Sequence, residues 1–180
     1  MGTVTLRKFE EKDVPNKVKW INDDRNNQFL HYDIPLEAEK TRRWYLKNQT
    51  LTDRYDAVIE YDDTPVGVIG LLEIHDGRAE YYVTLGEPEY KGHGIAKKAT
   101  ELLLEFAFRE LALNEVYLYT EVENMSAQRL FERCGFQKRN IEYASAINRG
   151  KAVDRYYYVI TAEAFMRTMN IRNLGGGTAP

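Results

Sequence analysis

The chain has a single cysteine, Cys134, which excludes an internal disulfide and fits a reducing compartment. It has no uninterrupted apolar run near the roughly 20 residues that a bilayer-spanning helix needs. Its first residues also lack a basic stretch followed by an apolar one. Met1-Gly2 begins like a myristoylation signal, but Leu6 stands where such a signal has Ser or Thr. The expectation is a cytoplasmic protein with no membrane partner and no lipid anchor. No charge sign dominates either: a formal net charge of -3 with both signs interspersed gives no field that would draw in nucleic acid. His31, His75 and His93 show no ligand spacing, so no metal is expected.

What the chain does have is globular material. It has 180 residues, 43% hydrophobic and 29% charged, enough for one buried domain and short for two. The expectation is a single domain over residues 1–172, followed by a flexible tail at 173–180, since Gly175-Gly176-Gly177-Thr178-Ala179-Pro180 offers nothing to pack. Residues 3–9 alternate and are rich in β-branched types, predicting a strand, and Asp13 is placed to cap a helix through Trp20. Pro35-Leu36-Glu37 opens a second helical stretch to about Asn48. Between the helices, Phe29-Leu30-His31-Tyr32-Asp33 is irregular and aromatic, equally a surface connection or a site-lining loop.

Strands follow at 55–61, 66–74 and 78–85, separated by the turn-forming runs Asp62-Asp63-Thr64-Pro65 and His75-Asp76-Gly77, an antiparallel meander. Ile95, Ala99, Leu102, Leu103 and Phe106 then recur at helical spacing and define one buried face. A strand at 116–122, a short helix at 126–133 and strands at 136–143 and 153–160 complete the order β-α-α-β-β-β-α-β-α-β-β. That order is a mixed sheet with helices on its faces. Cys134, in Arg133-Cys134-Gly135-Phe136, reads as a small thiol at a helix end, more a packing group than a nucleophile.

The stretch Glu89-Tyr90-Lys91-Gly92-His93-Gly94-Ile95-Ala96 lies between a strand and the start of the long helix. Two glycines there let the backbone turn tightly and approach a ligand, while first-turn N–H groups have no partners within the helix. Aligned peptide dipoles add positive charge at the same place, which makes an anion site built from main chain. A lone Gly-x-Gly is weak evidence. The nicotinamide-binding fingerprint needs a third glycine in a parallel β-α-β unit, and a P-loop needs Gly-Lys-Ser or Gly-Lys-Thr; neither is present.

Gly92-His93-Gly94-Ile95-Ala96 after a strand, followed by Asn124-Met125-Ser126-Ala127-Gln128-Arg129-Leu130-Phe131-Glu132-Arg133-Cys134-Gly135-Phe136, resembles the GNAT superfamily of acetyl-CoA-dependent N-acetyltransferases. The likeness runs from Leu6 to Ile160. It is similar in particular to the branch with spermidine, ribosomal-protein N-terminal and nucleotide-linked amino-sugar acetyltransferases, which Asp63-Thr64-Pro65-Val66-Gly67-Val68-Ile69-Gly70 and Arg78-Ala79-Glu80-Tyr81 also match. The resemblance implies an α/β (α+β) fold with a mostly antiparallel central sheet flanked by helices on both faces. It implies acetyl-CoA as co-substrate, with the amides of Lys91, Gly92, His93, Gly94, Ile95 and Ala96 on its diphosphate. Val83 and Leu85 would bond the pantetheine like an added strand, with Asn124 beside it, where the plain alternative is a helix cap. One departure is Glu89, where the family usually has Gln or Arg.

Transfer to an amine needs the free base. An alkyl amine of pKa about 10.4 is neutral in only roughly one molecule in a few thousand at pH 7, so a general base is expected. Glu80 is the first candidate, because the resemblance places a carboxylate there; Glu73 and Glu121 follow, each equally readable as a charged strand residue facing solvent. Relatives often place a tyrosine seven residues after the asparagine to protonate the leaving sulfur. This chain has Phe131, which leaves water, Tyr119 or Tyr143 for that role. Asp33, Glu37 and Glu39 suit a cationic acceptor or a solvated helix start. The acceptor implied is a primary amine of a small molecule, a polyamine or amino sugar. A protein N-terminus, or binding of acyl-CoA with weak turnover, is the alternative. The resemblance also implies a homodimer.

Overall fold

The computed structural model of the protein describes residues 2–175. A seven-stranded sheet runs in the order β1-β2-β3-β4-β5-β7-β6. Its strands are β1 (Val4–Lys8), β2 (Tyr55–Tyr61), β3 (Thr64–His75), β4 (Arg78–Leu85), β5 (Glu115–Glu121), β6 (Gln137–Asn148) and β7 (Lys151–Thr161). All neighbours are antiparallel except β4 and β5. That pair is parallel because α3 (Ile95–Glu105) carries the chain back across the sheet between them. The remaining helices are α1 (Val14–Asn22), α2 (Ala38–Asn48), α4 (Met125–Arg133) and α5 (Ala162–Gly175).

Alternation along the strands feeds two cores. Ala57 and Ile59 of β2 and Ile69 and Leu71 of β3 face the α3 side, where Ile95, Ala99, Leu103 and Leu104 are buried with Phe131, Phe136 and Phe165. Val58 and Val68 face the other way, against Phe9, Val14 and Trp20, with Trp44 and Tyr45 of α2 packed beside them. Helices therefore cover both faces. On α3 Leu104 is buried along with these, while Leu102, expected on the buried face, is half-buried, so the apolar stripe is rotated from the expected one.

Four expectations need correction. Asp13 stands at the start of α1 but makes no capping bond to it; its carboxylate receives the Arg7 guanidinium, 2.8 Å on each oxygen, and the Glu10 N–H. The second helix starts at Ala38 rather than near Pro35, because Asn22 captures the backbone of Leu36, receiving its N–H at 2.6 Å and donating to its carbonyl at 3.0 Å. Strand β6 continues to Asn148, turning at Arg149-Gly150, both with positive φ; the run Ala144-Ser145-Ala146 has too little strand propensity to announce this. Helix α5 was not expected, although Ala162, Phe165, Met166 and Met169 have helical spacing and pack on the main core, and Thr161 Oγ1 caps it by accepting the Ala164 N–H at 3.1 Å. It runs past the expected domain end at 172 to Gly175; residues 176–180 of the expected tail lie outside the described residues.

Candidate active site

The parallel ladder joins only Arg78–Glu80 to Glu115–Tyr117. Beyond Glu80 the two strands diverge: β4 continues to Leu85 on its pairing with β3, and β5 continues to Glu121 on its pairing with β7. A cavity of about 720 Å³ occupies the opening. The starts of α3 and α4 border it, since each helix follows the end of one diverging strand.

At one end the cavity is backbone. Gly92 and Gly94 have φ of +80° and +78°, and a Cβ built on either would meet nothing within 4 Å. The left-handed conformation demands glycine here, and the open space in front of it leaves the main chain free to be approached. Gly94 precedes α3 with no side-chain cap. Since Lys98 N–H is the first to bond back, to Gly94 O at 3.1 Å, the amides of Ile95, Ala96 and Lys97 have no partner within the helix. Lys91 crosses to the loop after α1, donating to Asn26 Oδ1 at 2.6 Å, and burial lowers its pKa. Arg25, Lys97, Arg129 and Arg133 also line the cavity, so unpartnered amides and positive side chains border the same space. That donor set fits the diphosphate of a coenzyme A.

Of the expected binding residues, Val83, Leu85, Lys91, Gly92, Gly94, Ile95, Ala96, Asn124 and Phe131 line the cavity. His93 is exposed and does not. Asn124 Oδ1 accepts the Ala127 N–H at 3.2 Å and caps α4. Phe131, 7% exposed, packs edge-on against Tyr81 with ring centres 5.7 Å apart.

The other end is side chain. Glu80 and Tyr119 line it, while Glu73 is exposed outside the cavity at the irregularity of β3, and Tyr143 is 74% exposed. Burial, and then the Glu73 charge, push the Glu80 carboxyl above the usual carboxylate range, with Arg155 opposing. Burial raises the Tyr119 hydroxyl too, helped by Glu142, Tyr157 and Glu80, so it holds its proton firmly. Cys134 is buried and its thiol is pushed up to about 11 by burial, as expected of a packing group.

Sequence reasoning missed how this end is closed. His31, from the loop between α1 and α2, has Nε2 2.8 Å from Oε1 of buried Glu121. Asn148, at the tip of the β6–β7 hairpin, donates to the same oxygen at 2.7 Å and to Gln28 O at 2.9 Å. Arg149 reaches Asn27 Oδ1 at 2.6 Å. Segments more than a hundred residues apart thus meet beside the cavity. Only the aromatic, irregular composition of residues 29–33 hinted at it.

Comparison with known proteins supports the family that the sequence resembles. Residues 3–137 match the family model described as an acetyltransferase (GNAT) domain, and the chain belongs to that family. It is accordingly an acetyl-CoA-dependent N-acetyltransferase, with acetyl-CoA as co-substrate. Spermidine N(1)-acetyltransferase of Escherichia coli (strain K12) is 35% identical over 149 residues, 74% of this chain and 73% of that protein. The Vibrio cholerae enzyme of the same name is 29% identical over 139 residues, 74% of this chain and 78% of that one. The crystal structure of spermidine N-acetyltransferase from Vibrio cholerae in complex with CoA and spermine has a TM-score of 0.84 at 24% identity. It covers 91% of this chain and 98% of its own, a likeness of fold.

Proposed function

We propose that the protein acetylates the primary amine of a small molecule, a polyamine or an amino sugar, by direct attack with Glu80 as general base. Likeness to the spermidine N(1)-acetyltransferases puts polyamines first on the panel of acceptors to try. Amides from Gly92 to Ala96 hold the coenzyme diphosphate, without the expected Lys91 amide, which already donates to Pro88 O at 3.1 Å, and Val83, Leu85 and Asn124 lie along the pantetheine. When bound, acetyl-CoA supplies an acetyl group activated as a thioester. Glu80, directly or through water, takes the proton from the acceptor nitrogen. Its raised pKa brings it nearer working pH, where a general base is most effective. Tyr119 keeps its hydroxyl proton at neutral pH and can release it toward the leaving sulfur, a role Phe131 cannot fill. The resemblance adds a homodimer to this reading, and the single cysteine fits a cytoplasmic location; light scattering of the purified protein tests the first.

The single observation that supports this most is the end of the β4–β5 ladder at Glu80 and Tyr117, beside one cavity lined by both the glycine loop and Glu80. Phe131 favours a second reading, binding of acyl-CoA with weak turnover. Thiol release from acetyl-CoA is to be measured across polyamines, amino sugars and peptides. Release with a small amine, and an acetylated amine in the product, supports the first reading. Tight CoA binding without release for any acceptor supports the second, and release with peptides alone overturns both.

A further inference from the structure

Arg155 belongs to the acceptor end of the cavity, yet no expectation from the sequence gave it a part. It sits on β7 with Glu121 of β5 and Glu142 of β6 as its cross-strand neighbours. Opposite charges in that position ordinarily pair. Here they do not: among the described residues no carboxylate lies within 4.0 Å of the guanidinium, and the nearby Glu121 Oε1 is already taken by His31 and Asn148. Ser145 aims the guanidinium instead, its hydroxyl receiving Nε at 2.9 Å and its carbonyl receiving Nη2 at 3.0 Å. The guanidinium carbon stands 4.5 Å from the centre of the Tyr119 ring. Both residues line the cavity, with Glu80 on the neighbouring strand.

A half-buried guanidinium held by a serine and an aromatic face, with Nη1 bonded to none of the described residues, has donors to spare. Such a planar fork matches a carboxylate or a phosphate. Glu80, in the same cavity, has the opposite sign, and the two are close enough to feel each other without forming a pair. Two opposite charges kept apart in one cavity complement a ligand carrying both an ammonium and an anion. A polyamine offers Arg155 only like charge.

We infer that Arg155 selects the acceptor: this enzyme prefers primary amines that also carry a carboxylate or a phosphate, with the amine toward Glu80 and the anion on the Arg155 guanidinium. The inference rests on the amine-acetylation reading above and, within it, ranks polyamines behind amines that carry an anion. Arg155 is a specificity residue and takes no part in proton transfer.

The test compares matched acceptors by thiol release from acetyl-CoA: lysine against cadaverine for a carboxylate, and glucosamine 6-phosphate against glucosamine for a phosphate. The expected result is a kcat/KM about 10- to 100-fold higher for the anion-bearing member of at least one pair, the size of one charge-assisted hydrogen-bonded contact. The pair that responds identifies the anion. Arg155→Gln should erase that preference, raising the KM of the anion-bearing acceptor more than that of its anion-free partner until the two have equal kcat/KM, with the KM for acetyl-CoA unchanged. Arg155→Lys, which keeps the charge without the fork, should keep part of it. Equal kcat/KM within both pairs, or a preference that survives Arg155→Gln, overturns the inference and leaves amine acetylation standing. Absence of thiol release with every amine overturns both.

Discussion

The two ends of the cavity are built from different materials. The end proposed for the coenzyme is main chain: Gly92 and Gly94, both with positive φ, have open space in front of them, and the first amides of α3 follow without a side-chain cap. The acceptor end is side chain: Glu80, Tyr119 and Arg155 come from three strands, and His31 comes from a loop fixed by the hairpin tip. A backbone site tolerates most side-chain changes, because every residue but proline carries the same N–H. A side-chain site changes its chemistry with each substitution. One fold can therefore keep its donor while its acceptor changes, and the contrast gives a direct way to tell which end a residue serves.

The largest effect is expected at the acceptor end. Glu80→Gln removes the proposed base while keeping size and polarity, so turnover with saturating acetyl-CoA should fall about 100-fold or more near pH 6.5. Glu80 is held above the usual carboxylate range by burial and by Glu73. Its ionised form, the one that can accept a proton, therefore grows as pH rises through that elevated value. The acceptor itself releases its proton only near pH about 10. Each unit of pH below that leaves about tenfold less free amine, and the variant has no base to make up for it. The deficit should shrink steadily by pH 9.5, with CoA affinity unchanged throughout. A loss that is the same at every pH, or no loss, removes Glu80 from the role.

At the coenzyme end a smaller effect of another kind is expected. Gly92→Val forces a β-branched residue into φ near +80°, at a cost of about 1–3 kcal/mol of backbone strain, and puts methyl groups where the ligand approaches. CoA binding measured by calorimetry should weaken about 10- to 100-fold, with the acceptor's KM little changed in whatever turnover survives. No protein atom lies within 4 Å of the added Cβ, so a folded variant is expected, and its melting curve checks that. CoA affinity equal to that of the unaltered chain would move the diphosphate away from this loop and dissolve the contrast between the two ends.

The same contrast explains which parts of the molecule could be read from sequence. The glycine loop was legible because its residues are contiguous and their glycines are needed for a backbone reason, the positive φ of Gly92 and Gly94. The meander was legible from the turn-forming runs between its strands and α3 from helical spacing, since Ile95, Ala99 and Leu103 are buried as that spacing says. The acceptor end was not. Glu73 and Glu80 look alike as strand carboxylates. The bulge in β3 and the early end of the β4–β5 ladder separate them, leaving one exposed and the other in the cavity. Arg155 is one arginine among many until Ser145 and Tyr119, ten and thirty-six positions away in sequence, are seen around it. Helix α5 is a different kind of miss, because Phe165, Met166 and Met169 carried the signal.

The smallest expected effect is the sharpest check on the coenzyme end. His93 lies between the two glycines, its side chain exposed and outside the cavity, and unlike its neighbours it does not need a positive φ. His93→Ala keeps the amide, keeps a conformation alanine adopts freely, and deletes only the imidazole. If this end works through its backbone, CoA affinity and turnover should both stay within about twofold from pH 6 to 9, because a lost surface side chain with no partner carries at most about 0.5 kcal/mol. A tenfold loss of CoA affinity would mean that the imidazole grips the phosphates. The coenzyme end would then be a side-chain site like the acceptor end.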